Sequence, residues 1–184
     1  MGEKNKIMQH SQITSLVLER TEKIDYSSVL NVGCGRGELL ESLLSTHPHA
    51  RTCGIDLSER KILFAAQKLG ETAELTVGDA ETLPYPDCSF DLLICGNSIQ
   101  RCLNPARAIN QFYRVLQAGG ILILYGSGRI SAKRLLAGAV SRYGVAAVRR
   151  HSPAEIRRVL ERSAFRNFKW EVPFRNIFFA IGTK

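Results

Sequence analysis

The sequence predicts a single α/β domain of 184 residues, built on a doubly wound, mostly parallel seven-stranded sheet with a C-terminal antiparallel hairpin. Three observations predict it. Short apolar runs alternate with stretches of helical periodicity up to residue 126. A glycine-rich turn joins the first apolar run to the helix after it. The last two apolar runs follow one another with only a proline-containing turn between them.

Taken in order, residues 11–24 read as a helix with Ile13, Leu16 and Val17 on one face. Val29, Leu30 and Val32 mark strand 28–33, and helix 37–46 opens at Glu38-Leu39-Leu40. Strand 51–56, helix 58–69 and strand 73–78 follow, then strand 89–95, helix 105–117 and strand 120–126. Strand–helix–strand units imply right-handed crossovers and parallel pairing. Leu83-Pro84-Tyr85-Pro86-Asp87 reads as a loop, because two prolines break any regular element. Ser152-Pro153-Ala154-Glu155 is a capping box with proline at the first helical position, so a helix starts there and runs to about residue 163. Strands 168–171 and 177–181, joined by Pro173-Phe174-Arg175-Asn176, close the sheet.

The turn itself is Gly33-Cys34-Gly35-Arg36-Gly37. Glycines between a parallel strand and a helix let the backbone approach a ligand, which then sits near the helix N-terminus. Asp56, nineteen residues beyond Gly37 and ending the second strand, can accept both ribose hydroxyls of a nucleoside. Asp79, after Val77-Gly78, can accept from an adenine amino group. These features predict a nucleoside-containing cofactor on a Rossmann-like sheet. The G-x-G-x-G spacing differs from the G-x-G-x-x-G of dinucleotide binders.

With Ser89-Phe90-Asp91-Leu92-Leu93-Ile94-Cys95-Gly96-Asn97 and Arg114-Val115-Leu116-Gln117-Ala118-Gly119-Gly120-Ile121-Leu122-Ile123-Leu124, the ordered set resembles the class I S-adenosylmethionine-dependent methyltransferases. It is most similar to their ubiquinone/menaquinone-biosynthesis branch (methyltransferase type 11), over about residues 25–128. The resemblance implies S-adenosylmethionine as cofactor. It implies Gly33, Gly35 and Gly37 as the cofactor loop, Asp56 with Leu57 at the ribose, Asp79 and Ala80 at the adenine, and Asn97 near the methionine end. Residues 1–26 then form an N-terminal helix, 27–128 the cofactor-binding core, 129–151 a basic cover segment, and 152–184 a helix and the closing hairpin.

At three places the chain departs from the family pattern. Asn31 stands where an acidic residue is usual, and replacing it by aspartate is expected to tighten cofactor binding. Lys61 stands where an apolar residue often covers the adenine. Gln100-Arg101 replaces a frequent histidine-containing pair, which removes a familiar candidate base.

Composition narrows the function classes. No run of eighteen apolar residues occurs, so no transmembrane helix is expected, and the charged, amphipathic N-terminus lacks a signal-peptide core. A cytoplasmic location follows as the default. Five cysteines without C-x-x-C spacing indicate neither a disulfide framework nor a metal site. Cys34, in the loop, reads as a small residue between glycines rather than a reactive thiol. Residues 129–169 hold eleven Lys/Arg against Glu155 and Glu161, a surplus of +9 in a chain of net charge +8. This charge, interleaved with Leu135, Leu136, Ala139, Val140 and Tyr143, suits an anionic acceptor or peripheral membrane contact, and equally an ordinary solvated face. Nucleic acid is disfavoured, since no appended binding module or base-methylation signature occurs. Oligomeric state leaves no trace in the sequence.

The function expected is methyl transfer from S-adenosylmethionine to a small-molecule or lipid-like acceptor. The alternative is a protein that binds S-adenosylmethionine or S-adenosylhomocysteine without transfer. A nicotinamide-dependent oxidoreductase is disfavoured by the glycine spacing and the closing hairpin. A sulfonium methyl is already activated, so alignment carries much of the rate and a base is needed only for a protonated, weakly acidic acceptor. Tyr125, Tyr143 and His151 are the candidate bases, none assigned as catalytic. Asp87 and Asp91 read as turn and strand-start residues.

Overall fold

The computed structural model describes residues 3–127, 150–174 and 177–184. A helix α1 (Glu3–Thr21) precedes alternating β1 (Ser28–Val32), α2 (Glu38–Thr46), β2 (Arg51–Asp56), α3 (Glu59–Leu69) and β3 (Glu74–Val77). Then come β4 (Phe90–Gly96), α4 (Pro105–Val115), β5 (Leu116–Ser127), α5 (Pro153–Glu161), β6 (Arg166–Phe174) and β7 (Ile177–Thr183). The seven strands form one sheet in the order β3-β2-β1-β4-β5-β7-β6. The first five are parallel, and β7 is antiparallel to both β5 and β6. The chain runs outward from β1 through β2 to β3, then returns to lay β4 on the other side of β1. The switch point, where a ligand crevice opens, therefore lies between β1 and β4.

The central strands are largely apolar because both sheet faces are covered. Side chains alternate between two cores, as the two-residue period of a strand requires. Leu30, Leu93, Leu122 and Leu124 join Ile109 and Phe112 of α4 and Ile156 and Leu160 of α5. Val29, Leu92, Ile94 and Ile123 join Leu39 and Leu43 of α2 and Ile13 and Val17 of α1. At the end of the sheet away from the crevice, Asp91 Oδ2 accepts from the backbone N–H and hydroxyl groups of Ser27 and Ser28 at 2.8–2.9 Å. Burial opposes ionisation there, but those four donors outweigh it and hold the Asp91 carboxyl below its ordinary range. Asp87 caps an ion pair with Arg114 at 2.7 Å. Both aspartates thus serve local structure, as expected.

Several boundaries differ from the sequence-based expectation, most by one or two residues. The first helix begins at Glu3 rather than residue 11, because its polar first turns carry no apolar period to read. Helix α4 stops at Val115 rather than residue 117, since Leu116 turns extended and pairs with Phe90. Strand β5 therefore starts four residues early and accommodates a left-handed Gly119. Strand β6 continues through Pro173, where the expected turn falls: β6 is an edge strand, so a missing N–H breaks no ladder. The capping box forms as predicted: Ser152 Oγ accepts from Glu155 N–H at 3.2 Å, and Glu155 Oε2 from Ser152 N–H at 2.7 Å. Among the described residues no helix is long and apolar enough to cross a membrane.

Candidate functional site

Between the carboxyl ends of β1, β2 and β3 and those of β4 and β5 lies a cavity of about 640 Å³. Its floor is the loop from β1 to α2. Gly33, Gly35 and Gly37 alternate there with φ of +76°, +63° and +82°. L-residues with a Cβ rarely adopt this left-handed backbone, so the three glycines set the path of the loop. Ile55 carbonyl pins it from β2, accepting from Gly33 N–H at 2.7 Å and Cys34 N–H at 3.0 Å. At Gly33 the space is also full: a Cβ would stand 2.5 Å from Ser98 Cβ and Oγ. Ser98 in turn donates its hydroxyl to Val32 carbonyl at 2.9 Å, which ties the loop after β4 to the end of β1.

Asp56 closes β2 at 8% exposure. Its Oδ2 accepts from Gly35 N–H and its Oδ1 from Ser58 N–H, each at 3.0 Å. Lys61, from the first turn of α3, sets its ammonium 3.3 Å from Oδ2 and 3.4 Å from Oδ1. Beyond β3, Asp79 Oδ1 accepts from Glu81 N–H at 2.9 Å, a side-chain-capped turn that also exposes Ala80 to the cavity. Leu57 forms part of the lip at 71% exposure. On the far wall Asn97 takes a left-handed φ of +56°, which asparagine tolerates better than most residues, and donates its N–H to Tyr125 carbonyl at 2.8 Å. Tyr125 lies over Gly96, where any Cβ would collide with the ring, and stacks at 6.2 Å on Phe179 of β7.

Seven of the eight cofactor residues expected from sequence therefore line one cavity: Gly33, Gly35, Asp56, Leu57, Asp79, Ala80 and Asn97. Gly37 does not. It precedes α2 with its Cα turned to α3, where a Cβ would stand 2.9 Å from Leu69 Cδ1 and 3.3 Å from Ala65 Cβ. Its glycine is required by helix packing behind the loop. Asn31 also lines the cavity, but its Nδ2 donates to Ile94 carbonyl at 3.1 Å. The motif reading did not pick out Ser58, Glu81, Cys102 and Leu103 as lining residues. They follow positions it did pick out by one to six residues in chain order, which is the one signal that could have found them.

Two thiols and a phenol in the wall are held protonated. Burial, reinforced by the nearby Asp56 charge, pushes the Cys34 thiol up to about 12, so it is an inert packing group. Burial likewise raises Cys102 and the Tyr125 phenol. Of the candidate bases, Tyr125 reaches the cavity. His151 is not among its lining residues: its backbone exchanges hydrogen bonds with Gln100, N–H to Gln100 carbonyl at 2.8 Å and carbonyl from Gln100 Nε2 at 2.9 Å. Tyr143 and the expected cover segment, apart from Arg150 and His151, lie outside the described residues. Arg101 lines the cavity and is exposed, with no ion pair among the described residues.

Comparison with known proteins agrees with this geometry. A family described as a methyltransferase domain matches residues 30–124. The malonyl-[acyl-carrier protein] O-methyltransferase of Hahella chejuensis is 36% identical over 96 residues, covering 52% of this chain and 34% of that protein. The demethylmenaquinone methyltransferase of Deinococcus radiodurans is 33% identical over 100 residues, covering 52% of this chain and 41% of that protein. The chain thus spans well under half the length of either relative. An S-adenosylmethionine-dependent methyltransferase structure from Aquifex aeolicus superposes with a TM-score of 0.74 at 18% identity, covering 92% of this chain and 88% of that one, and shows the shared fold. A matched domain over half the chain, on the sheet order and loop just described, makes this protein a member of the class I S-adenosylmethionine-dependent methyltransferases, whose cofactor is S-adenosylmethionine.

Proposed function

We propose that the chain transfers a methyl group from S-adenosylmethionine to a small-molecule acceptor carrying an anionic group. The observation that supports it best is Asp56: one backbone N–H engages each carboxylate oxygen, and the carboxylate lines a cavity whose floor is the glycine loop. A carboxylate has about four lone-pair sites, so each oxygen keeps a place for one ribose hydroxyl. In this reading Gly33 and Gly35 let the backbone approach the cofactor, and Gly37 shapes their loop from behind. Leu57 covers the ribose, Asp79 and Ala80 meet the adenine, and Asn97 borders the methionine end. A cavity of about 640 Å³ falls within the range of small-molecule sites, roughly 300–1,000 Å³.

When bound, S-adenosylmethionine supplies a methyl activated by its sulfonium. The protein's part is alignment and exclusion of water. Arg101 fits the anionic group of the acceptor, and Leu103 and Tyr125 offer apolar wall beside it. An acceptor atom that arrives ionised needs no general base, which accords with a wall whose thiol and phenol stay protonated at neutral pH. The relatives' names, an O-methyltransferase of malonyl-[acyl-carrier protein] and a demethylmenaquinone methyltransferase, leave the acceptor open. A lipid-like acceptor and membrane contact rest on the charge of residues 129–169 and the apolar residues interleaved with it in the sequence, and sedimentation with anionic vesicles tests them.

Calorimetric titration with S-adenosylmethionine, S-adenosylhomocysteine and nicotinamide dinucleotides tests the cofactor. Binding of the first two and not the third is expected, and the reverse overturns the reading. Transfer of labelled methyl to carboxylate-bearing acceptors, lost in Arg101→Gln, tests the reaction. Tight cofactor binding without transfer to any acceptor favours the alternative of a non-catalytic binder.

A further inference from the structure

We infer that the carboxylate proposed to hold the ribose carries a built-in competitor, the ammonium of Lys61, and that cofactor binding is an exchange of one for the other. The inference rests on the cofactor reading above. Asp56 is fixed: its oxygens are held by Gly35 N–H and Ser58 N–H, each at 3.0 Å, and its side chain is 9% exposed. Of about four lone-pair sites on a carboxylate, one on each oxygen is left. Lys61 Nζ bridges those two oxygens at 3.3 and 3.4 Å. A vicinal diol donates one hydroxyl to each oxygen and so needs the same two places. The ammonium and the diol exclude one another there.

Lys61 is the partner able to move. Its side chain is 43% exposed and flexible, and its ammonium can pass into water, whereas Asp56 ends a buried strand. In the free protein the ammonium neutralises the carboxylate. On binding it must give way, and the loss of the ion pair subtracts from the affinity the pocket would otherwise reach. The sign of the salt effect follows. Screening weakens the ion pair, so a ligand of no net charge should bind more tightly as salt rises.

The test is calorimetric titration of S-adenosylhomocysteine into the wild-type chain, Lys61→Met and Lys61→Gln, at low and high sodium chloride. A partly exposed pair is worth up to about 1 kcal/mol, so both variants should bind about two- to fivefold more tightly at low salt. Wild-type affinity should rise with salt while that of the variants stays level. In an Asp56→Asn background Lys61→Gln should change nothing. Equal or weaker binding by Lys61→Gln overturns the inference, as does wild-type affinity that fails to rise with salt. A gain in Lys61→Met alone overturns it too, because it reports added apolar cover rather than a released carboxylate. Absence of binding by all three proteins overturns the cofactor reading itself, and the inference with it.

Discussion

The two ends of the cavity are built by opposite means. At the ends of β1, β2 and β3 the chain hydrogen-bonds to itself: Ile55 carbonyl holds the glycine loop, Asp56 collects two backbone N–H groups, and Asp79 caps its own turn. At the ends of β4 and β5 the wall is made largely by contact: Tyr125 fills the space over Gly96, and Phe179 stacks behind it. The first end is specified by two short strand-end turns and by contacts between the loop after β1 and the end of β2, about twenty residues apart. The second depends on side chains delivered from β5 and β7, far apart in sequence. The difference teaches that the end built on the glycine loop is held by hydrogen bonds to the main chain, while the opposite wall is held mainly by side-chain packing and is joined to the loop through Ser98.

Substitutions can break or sharpen this comparison. Gly33→Ala should do the greatest damage. It combines left-handed strain, about 1–2 kcal/mol, with a collision at Ser98 in a packed site, about 1–3 kcal/mol more, and should lower the unfolding midpoint and abolish cofactor binding together. A well-folded Gly33→Ala that still binds S-adenosylhomocysteine would show that the hydrogen-bonded loop does not need its glycine there. Asp56→Ala should cost about 1–3 kcal/mol of cofactor affinity in calorimetry. Wild-type affinity in that variant would remove the carboxylate from the site.

Asn31→Asp separates the sequence expectation from the structure. A carboxylate there was expected to tighten binding, but Asn31 is 3% exposed and its amide donates to Ile94 carbonyl. An ionised aspartate loses that donor and sets a carboxylate oxygen against the Ile94 carbonyl, so thermal or denaturant unfolding should report a loss of about 1–2 kcal/mol. An unchanged midpoint with tighter cofactor binding would restore the original expectation. Tyr125→Phe should do least. Burial pushes the phenol above its ordinary range, so it is neutral below that range and a poor base at neutral pH. Stability should stay within about 0.5 kcal/mol, and methyl transfer should keep the same pH profile between pH 6 and 9, read against a measured acceptor. A lost alkaline limb would make Tyr125 a catalytic residue.

What the sequence made legible follows the same division. Gly33, Gly35, Asp56 and Asp79 could be placed because each sits at a strand end whose neighbours determine its surroundings. The capping box of Ser152 and Glu155 was readable for the same reason. Gly37 was assigned with its loop, but its contact is with Leu69 and Ala65 on a helix that begins more than twenty residues later. Lys61 stood out as a departure, yet nothing in its spacing says that its ammonium meets Asp56. Tyr125 was noticed for its chemistry, whereas its role in shape comes from a glycine on the neighbouring strand. Strand β6 ran past its expected end because an edge position, invisible in a linear pattern, excuses Pro173.

The placement of β7 also sets an order of events during synthesis. Strand β5 is twelve residues long and carries the apolar run Ile121-Leu122-Ile123-Leu124. One side of it pairs with β4, made earlier; the other waits for β7, which leaves the ribosome after β6 although it sits between them. Until Ile177–Thr183 emerges, a nascent chain with β1 to β5 in place still presents an open, apolar strand edge. Such an edge is a template for pairing with another chain. Pairing of β7 therefore covers that edge of β5 and passes the edge position to β6, where Pro173 offers no N–H to a strand from another chain.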